Sequence, residues 1–150
     1  MTKVEILCEG GTIDIDYEII SKYPILKNMC NEAALSQKIE LANISKSTLL
    51  KILEFCEHYR HSTPKAIQKP LKSWDLLENG VDSWDEEFID IKPIENLVDL
   101  TVCADFLEIS ELVLLGCAKI AVIVGHQNQL QNTADSSLGA TGYSNGLLFN

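Results

Sequence analysis

Two short β-prone runs, Val4 to Leu7 and Thr12 to Asp16, flank Glu9-Gly10-Gly11 near the start of the chain. Paired glycines supply the positive φ angles that a tight hairpin requires, so two antiparallel strands are predicted here. The period then changes. Ile25, Leu26, Met29 and Cys30 follow Pro24 at helical spacing, whereas Lys38 to Leu41 alternates polar and apolar residues as a half-buried strand does. Ser45 or Ser47 can cap the next helix, in which Leu49, Ile52, Leu53 and Cys56 repeat at i, i+3, i+4 and i+7. They form one core-facing stripe that reaches about Arg60.

From Ser62 to Asp82 the periodicity fails. Pro64 and Pro70 block regular structure and Asn79-Gly80 marks a turn, so a surface loop or linker is expected. Helical patterning resumes at Ser83, with Asp85, Glu86 and Glu87 in a first turn, where negative charge complements the helix dipole, and Phe88 and Ile91 facing inward. Pro93 fits an N1 position, and Ile94, Leu97, Val98, Thr101 and Ala104 share one face of the helix that follows. A last helix is predicted from near Ser110 to about Val124 and is apolar nearly all round: Leu112, Val113, Leu114, Leu115, Cys117, Ile120, Ala121, Val122, Ile123 and Val124. Such a helix needs cover, and an interaction surface is favoured over core packing alone. Gln, Asn, Ser, Thr and Gly dominate from Gly125 onward, and a disordered tail is expected there.

Charge and chemistry narrow the function. The 150 residues carry 12 basic and 22 acidic side chains, a formal charge of -10, which would repel a phosphate backbone. Nucleic acid is therefore not an expected partner. The five cysteines, Cys8, Cys30, Cys56, Cys103 and Cys117, never form a Cys-x-x-Cys pair and read as reduced, mostly buried apolar residues. Met1 to Gly10 lacks the features of a secretory signal and no stretch reads as a membrane span, so a cytoplasmic and nuclear location is expected. In that setting the Asn43-Ile44-Ser45 sequon reads as a turn leading into a helix cap.

Phosphate loops, nucleophile elbows and zinc-protease pairs are missing from the sequence. Cys56 and His58 would point about 200° apart on a helix and cannot converge on one ion, so His58 and His61 read as solvent-facing. No catalytic, metal or cofactor site is expected, and the chain reads as a binding module rather than an enzyme.

Two segments suggest which module. Ser83-Trp84-Asp85-Glu86-Glu87-Phe88-Ile89 resembles the Trp-Asp-x-Glu-Phe segment of the adaptor family that joins F-box proteins to cullins in SCF ubiquitin ligases, within the BTB/POZ superfamily. Cys103-Ala104-Asp105-Phe106-Leu107-Glu108-Ile109 is similar to that family's Ala-Ala-Asn-Tyr-Leu-Asp-Ile, and Leu112, Cys117, Lys119 and Ala121 continue the likeness. The resemblance covers Val4 to about Ile123, with the 62–81 stretch divergent.

It implies an α/β (α+β) fold: a BTB/POZ-like core with a mostly three-stranded sheet packed among helices. The expected organisation is a core at 1–62, a linker at 63–82, partner-binding helices at 83–124 and a low-complexity tail at 125–150. The implied partners are a cullin N-terminal domain, met by Asp105 and Phe106, and F-box proteins, met by Val98, Val102, Leu112, Leu115, Lys119 and Val122. A homodimer is left open. Where the family continues with a Gly-Lys-Thr-Pro-Glu-Glu-like turn and two further helices, this chain has Gly125-His126-Gln127-Asn128, so weakened F-box binding is also expected. The alternatives are an elongin-C-like or other BTB/POZ interaction module, and a truncated adaptor that binds cullin without recruiting F-box proteins.

Overall fold

The computed structural model describes residues 3–30 and 37–134, with backbone alone at 37 and 129–134. Two compact units divide the chain: residues up to Thr63 with Val98–Val113 form the first, and Pro64–Leu97 with the residues from Leu114 onward form the second.

The first unit is built on a three-stranded sheet of order β2-β1-β3. β1 (Lys3–Glu9) and β2 (Gly11–Asp16) make the antiparallel hairpin, and both glycines at its turn have positive φ, Gly10 at 103° and Gly11 at 146°. β3 (Gln37–Ser45) runs parallel to β1 and is longer than the alternation at Lys38–Leu41 predicts. The reason is a register shift: Cys8 faces Leu41 but Glu9 faces Ser45. Ile39, Leu41 and Ile44 are consequently all buried, and a bulge that changes parity hides the last of them from a period-two reading. Val4, Ile6, Cys8, Ile13 and Ile15 complete the sheet's inner face.

Three helices belong wholly to this unit. α1 (Tyr17–Ile20) is a single turn that the sequence pattern does not reveal, because four residues are too few to show a period. α2 (Pro24–Met29) starts with its proline at N1 and buries Leu26, while Met29 stays exposed. α3 (Lys46–His58) is capped by Ser45, whose hydroxyl accepts from the Thr48 amide at 3.3 Å. Its buried stripe is Leu49, Ile52, Leu53 and Cys56, with Phe55 beside it, and each fully buried large apolar side chain contributes about 1.5–3 kcal/mol. Lys22 Nζ donates to the carbonyls of Tyr59 and Ser62, placing a cation where the dipole of α3 ends. His58 and His61 are both exposed.

The second unit holds the 64–82 segment, which is more ordered than a linker. It contains a 3-10 turn (Leu76–Asn79) with Leu76 and Asn79 buried, and Gly80 follows at a φ of 90°. Asn79 organises the segment: its side-chain amide donates to the carbonyls of Ser73 (2.9 Å) and Asp75 (2.8 Å), and its Oδ1 accepts from the Lys72 amide. Polar bonding of this kind has no apolar period, which is why it escapes a sequence reading. α4 (Ser83–Phe88) follows, and Ile91 lies beyond its end, half-buried.

α5 (Ile94–Phe106) and α6 (Ser110–Ala134) each contribute to both units. Pro93 stands just before α5 rather than at its N1 position. α6 is longer than the period predicts. It continues unbroken through Gly125 to Ala134, since nothing from 125 to 134 is a proline and adding a residue to an existing helix needs no new nucleus. Residues 135–150 of the expected tail lie outside the described residues. Its apolar surface is covered only in part within the chain: Leu112, Leu115, Ala118 and Val122 are buried and Val113, Ile120, Ala121, Ile123 and Val124 half-buried, leaving Leu114 and Cys117 exposed. By length and composition alone, Ser110–Asn128 also suffices to cross a membrane. The spacing of its buried residues, however, is that of a helix packed on a protein core. The cysteines are less uniformly buried than expected: Cys8 and Cys56 are buried, Cys30 and Cys103 half-buried, and Cys117 exposed.

Candidate partner-docking surface on the fifth helix

Val98, Val102 and Phe106 stand four residues apart on α5, so they form one stripe along the helix. All three are open to solvent, at 39%, 62% and 60% exposure. The opposite side of α5 carries the buried Leu97, Leu100, Thr101 and Ala104. The result is a helix with an apolar side in the core and a second apolar stripe outside it. Isolated exposed apolar residues are ordinary, but a run aligned on one helix is the pattern of a docking surface. Asp105 is also exposed, and Glu95 and Asp99 give the exposed part of α5 an acidic border.

The end of this stripe is fixed by how α5 stops. The Ile109 amide donates to the Ala104 carbonyl at 2.9 Å and the Glu108 amide to the Asp105 carbonyl at 3.0 Å, with Glu108 left-handed at a φ of 55°. These two bonds make a Schellman C-cap, closed underneath by the buried side chains of Ala104 and Ile109. Phe106 is thereby the last helical residue, with Asp105 just before it, on a terminus that cannot fray freely. The Cys103–Ile109 motif is thus a helix stop that presents two exposed side chains.

The remaining sequence-predicted positions part company. Leu112 is fully buried and Leu115 and Val122 nearly so; these three act in the core and not on the surface. Lys119 lies on α6 with Nζ 3.7 Å from an oxygen of Asp90, and its side chain is only 13% exposed. In the Trp84–Phe88 motif the two rings stack with centroids 5.0 Å apart, and Phe88 is buried. Asp85 stands in the first turn of α4, where it is expected, and at 3% exposure it is buried there.

Burial raises the Cys103 thiol above its ordinary value, and the nearby Asp99 pushes in the same direction. Among the described residues, no group of three or more His, Cys, Asp and Glu side chains could hold a metal ion.

The sequence model "Skp1 family, tetramerisation domain" matches residues 7–61, the stretch that spans most of the sheet and α3. The S-phase kinase-associated protein 1 homolog of Tetrahymena thermophila is 39% identical over 124 residues, which cover 82% of this chain and 74% of that protein. The chain belongs to the Skp1 family. More distant Skp1-family relatives include the E3 ubiquitin ligase complex SCF subunit sconC of Arthroderma otae, 26% identical over 77% of this chain and 70% of its own length. The suppressor of kinetochore protein 1 of Schizosaccharomyces pombe is 24% identical, over 83% and 78%. The sheet and helices described above are accordingly a BTB/POZ-like α+β fold of the Skp1 type. Of the two motif segments, one buries Asp85 and Phe88, and the other caps α5.

Proposed function

We propose that this Skp1-family chain is the adaptor subunit of an SCF-type E3 ubiquitin ligase. It would join a cullin N-terminal domain to F-box proteins, acting by binding and without a catalytic step of its own, in cytoplasm and nucleus. The observation that carries this reading is the 39% identity with an S-phase kinase-associated protein 1 homolog across most of both chains. The solvent-open stripe on α5 supports it physically, since three aligned apolar side chains on a capped helix suit a protein partner.

Asp105 and Phe106, at the capped end of α5, are assigned to the cullin, and Val98 and Val102 to the F-box. Lys119, whose ammonium pairs with Asp90, is assigned to the F-box as well. Leu112, Leu115 and Val122 support the helices from within. Phe106 supplies most of the apolar area, and Asp105 a carboxylate able to accept a hydrogen bond or pair with a cation.

The test is a pull-down of the full chain with a purified cullin N-terminal domain, repeated with an F-box protein. Retention of both at micromolar concentration is expected. Failure of the cullin arm would remove the adaptor reading, and failure of the F-box arm alone would reduce it to a cullin-binding module.

A further inference from the structure

Trp74 and Gly125 approach more closely than any residue other than glycine would permit. A methyl carbon built on Gly125 would lie 2.0 Å from Trp74 Cζ3, 2.3 Å from Cη2 and 2.6 Å from Cε3. The six-membered ring of the indole therefore rests against the backbone of α6. Both residues belong to the second unit. Gly125 is not among the glycines with positive φ, so its backbone conformation does not call for glycine. A glycine inside a helix costs about 1 kcal/mol relative to alanine. What the position gains in return is the seat for the indole.

Trp74 is presented by a segment that closes on itself. Ser73 Oγ accepts from the Asp75 amide at 3.1 Å, Asp75 Oδ1 accepts from the Leu77 amide at 3.0 Å, and the Asn79 side chain binds the carbonyls on both sides of Trp74. The Gln68 amide is tied to the Asn79 carbonyl at 2.9 Å, and Lys65 pairs with Asp82 at 3.6 Å. These bonds fix the segment to itself. Trp74 at Gly125 fixes it to α6.

We propose that the 64–82 segment is a strap buckled onto α6 by Trp74 at Gly125, and that it opens and closes as one piece. Opening withdraws the indole, leaves the α6 backbone at Gly125 uncovered and loosens the loop around Asn79 with it. The proposal stands apart from the adaptor reading, because it concerns no partner.

Gly125→Ala separates this device from simple helix stability. Alanine favours the helix, so a purely structural glycine would leave α6 as helical or more so. The same methyl group displaces the indole. Trp84→Phe leaves Trp74 as the sole tryptophan of the two in the chain. In that background, Gly125→Ala is expected to at least double acrylamide quenching of Trp74. Tryptic cleavage after Lys65 and Lys72 should rise at least about tenfold, since cleavage follows the open population, with the helical circular dichroism retained. Unchanged quenching and unchanged cleavage would overturn the strap. If Gly125→Ala does not fold, Trp74→Ala in the full chain decides: cleavage at the same two lysines must rise at least about tenfold, and cleavage at the parent rate refutes the proposal.

Discussion

Glu108 lies between Asp105 and Ile109 in the left-handed conformation that closes α5, its amide 3.0 Å from the Asp105 carbonyl. A side chain at that φ is strained, because Cβ crowds the backbone carbonyl. The turn is held by the Ile109–Ala104 bond and by the burial of both side chains, which together outweigh the strain. Glu108→Gly is therefore expected to raise stability by up to about 1 kcal/mol, and Glu108→Val to lower it by about 1–2 kcal/mol. Denaturant midpoints measure both, and a less stable glycine variant would contradict the strained cap.

Val102 and Leu112 are separated by a test of burial. Val102 is exposed, so Val102→Asp should leave stability within about 0.5 kcal/mol while weakening retention of protein partners at least tenfold. Leu112 is buried, and Leu112→Asp should cost several kcal/mol and abolish cooperative unfolding. Thermal melts run beside pull-downs read the pair. Equal loss of stability in both variants would mean that the stripe on α5 belongs to the core.

Asp16 provides the pH dependence. Its carboxylate is 2.8 Å from Lys3 Nζ and 3.0 Å from an Arg60 guanidinium nitrogen. The Lys3 hydrogen bond, aided by Arg60 and opposed by desolvation, holds Asp16 below the usual carboxylate range. A carboxylate depressed in the folded state stabilises above its unfolded value and loses that contribution as pH falls through its folded value. Asp16→Asn should thus be less stable than the parent at neutral pH, with the difference shrinking below about pH 4. Stability curves recorded from neutral to acid pH check the sign, and a gap that widens in acid would be inconsistent with it.

Thiol chemistry should follow exposure. Burial pushes the Cys56 thiol up to about 12, and Tyr23, which shares a hydrogen bond with it, is also raised by burial. Cys117 stands exposed on α6. Brief alkylation of the native protein should label Cys117 first, and Cys8 and Cys56 only after denaturation, as peptide mass spectrometry would record. Early labelling of Cys56 would mean that α3 opens readily.

Much of the first unit is legible in the sequence because its elements follow simple periods. The glycine pair at 10–11, Pro24 at N1, the Ser45 cap and the Leu49–Cys56 stripe all lie where local chemistry requires. β3 beyond Leu41 is not legible, since the shift at Cys8 and Glu9 breaks the alternation. The second unit resists for a different reason: Asn79 and the Trp74–Gly125 approach are single contacts without a repeat. At the candidate surface, Asp105, Phe106, Val98 and Val102 are exposed, whereas Leu112, Leu115 and Val122 are buried. An apolar residue announces that it seeks cover, and only the neighbouring turns decide whether the chain itself provides it.

The position of β1 between an antiparallel and a parallel neighbour bears on the route by which the molecule assembles. Its pairing with β2 closes across Glu9 and Gly10, between the paired Cys8 and Gly11, and as a hairpin can form within about 1–10 μs. Pairing with β3 must wait until the chain from 10 to 36, β2 included, has been drawn together, and non-local contacts of that kind slow folding. A nascent chain that has emerged only as far as Asp16 therefore holds a marginal two-stranded ribbon, and the central strand keeps one open edge until Gln37–Ser45 arrives.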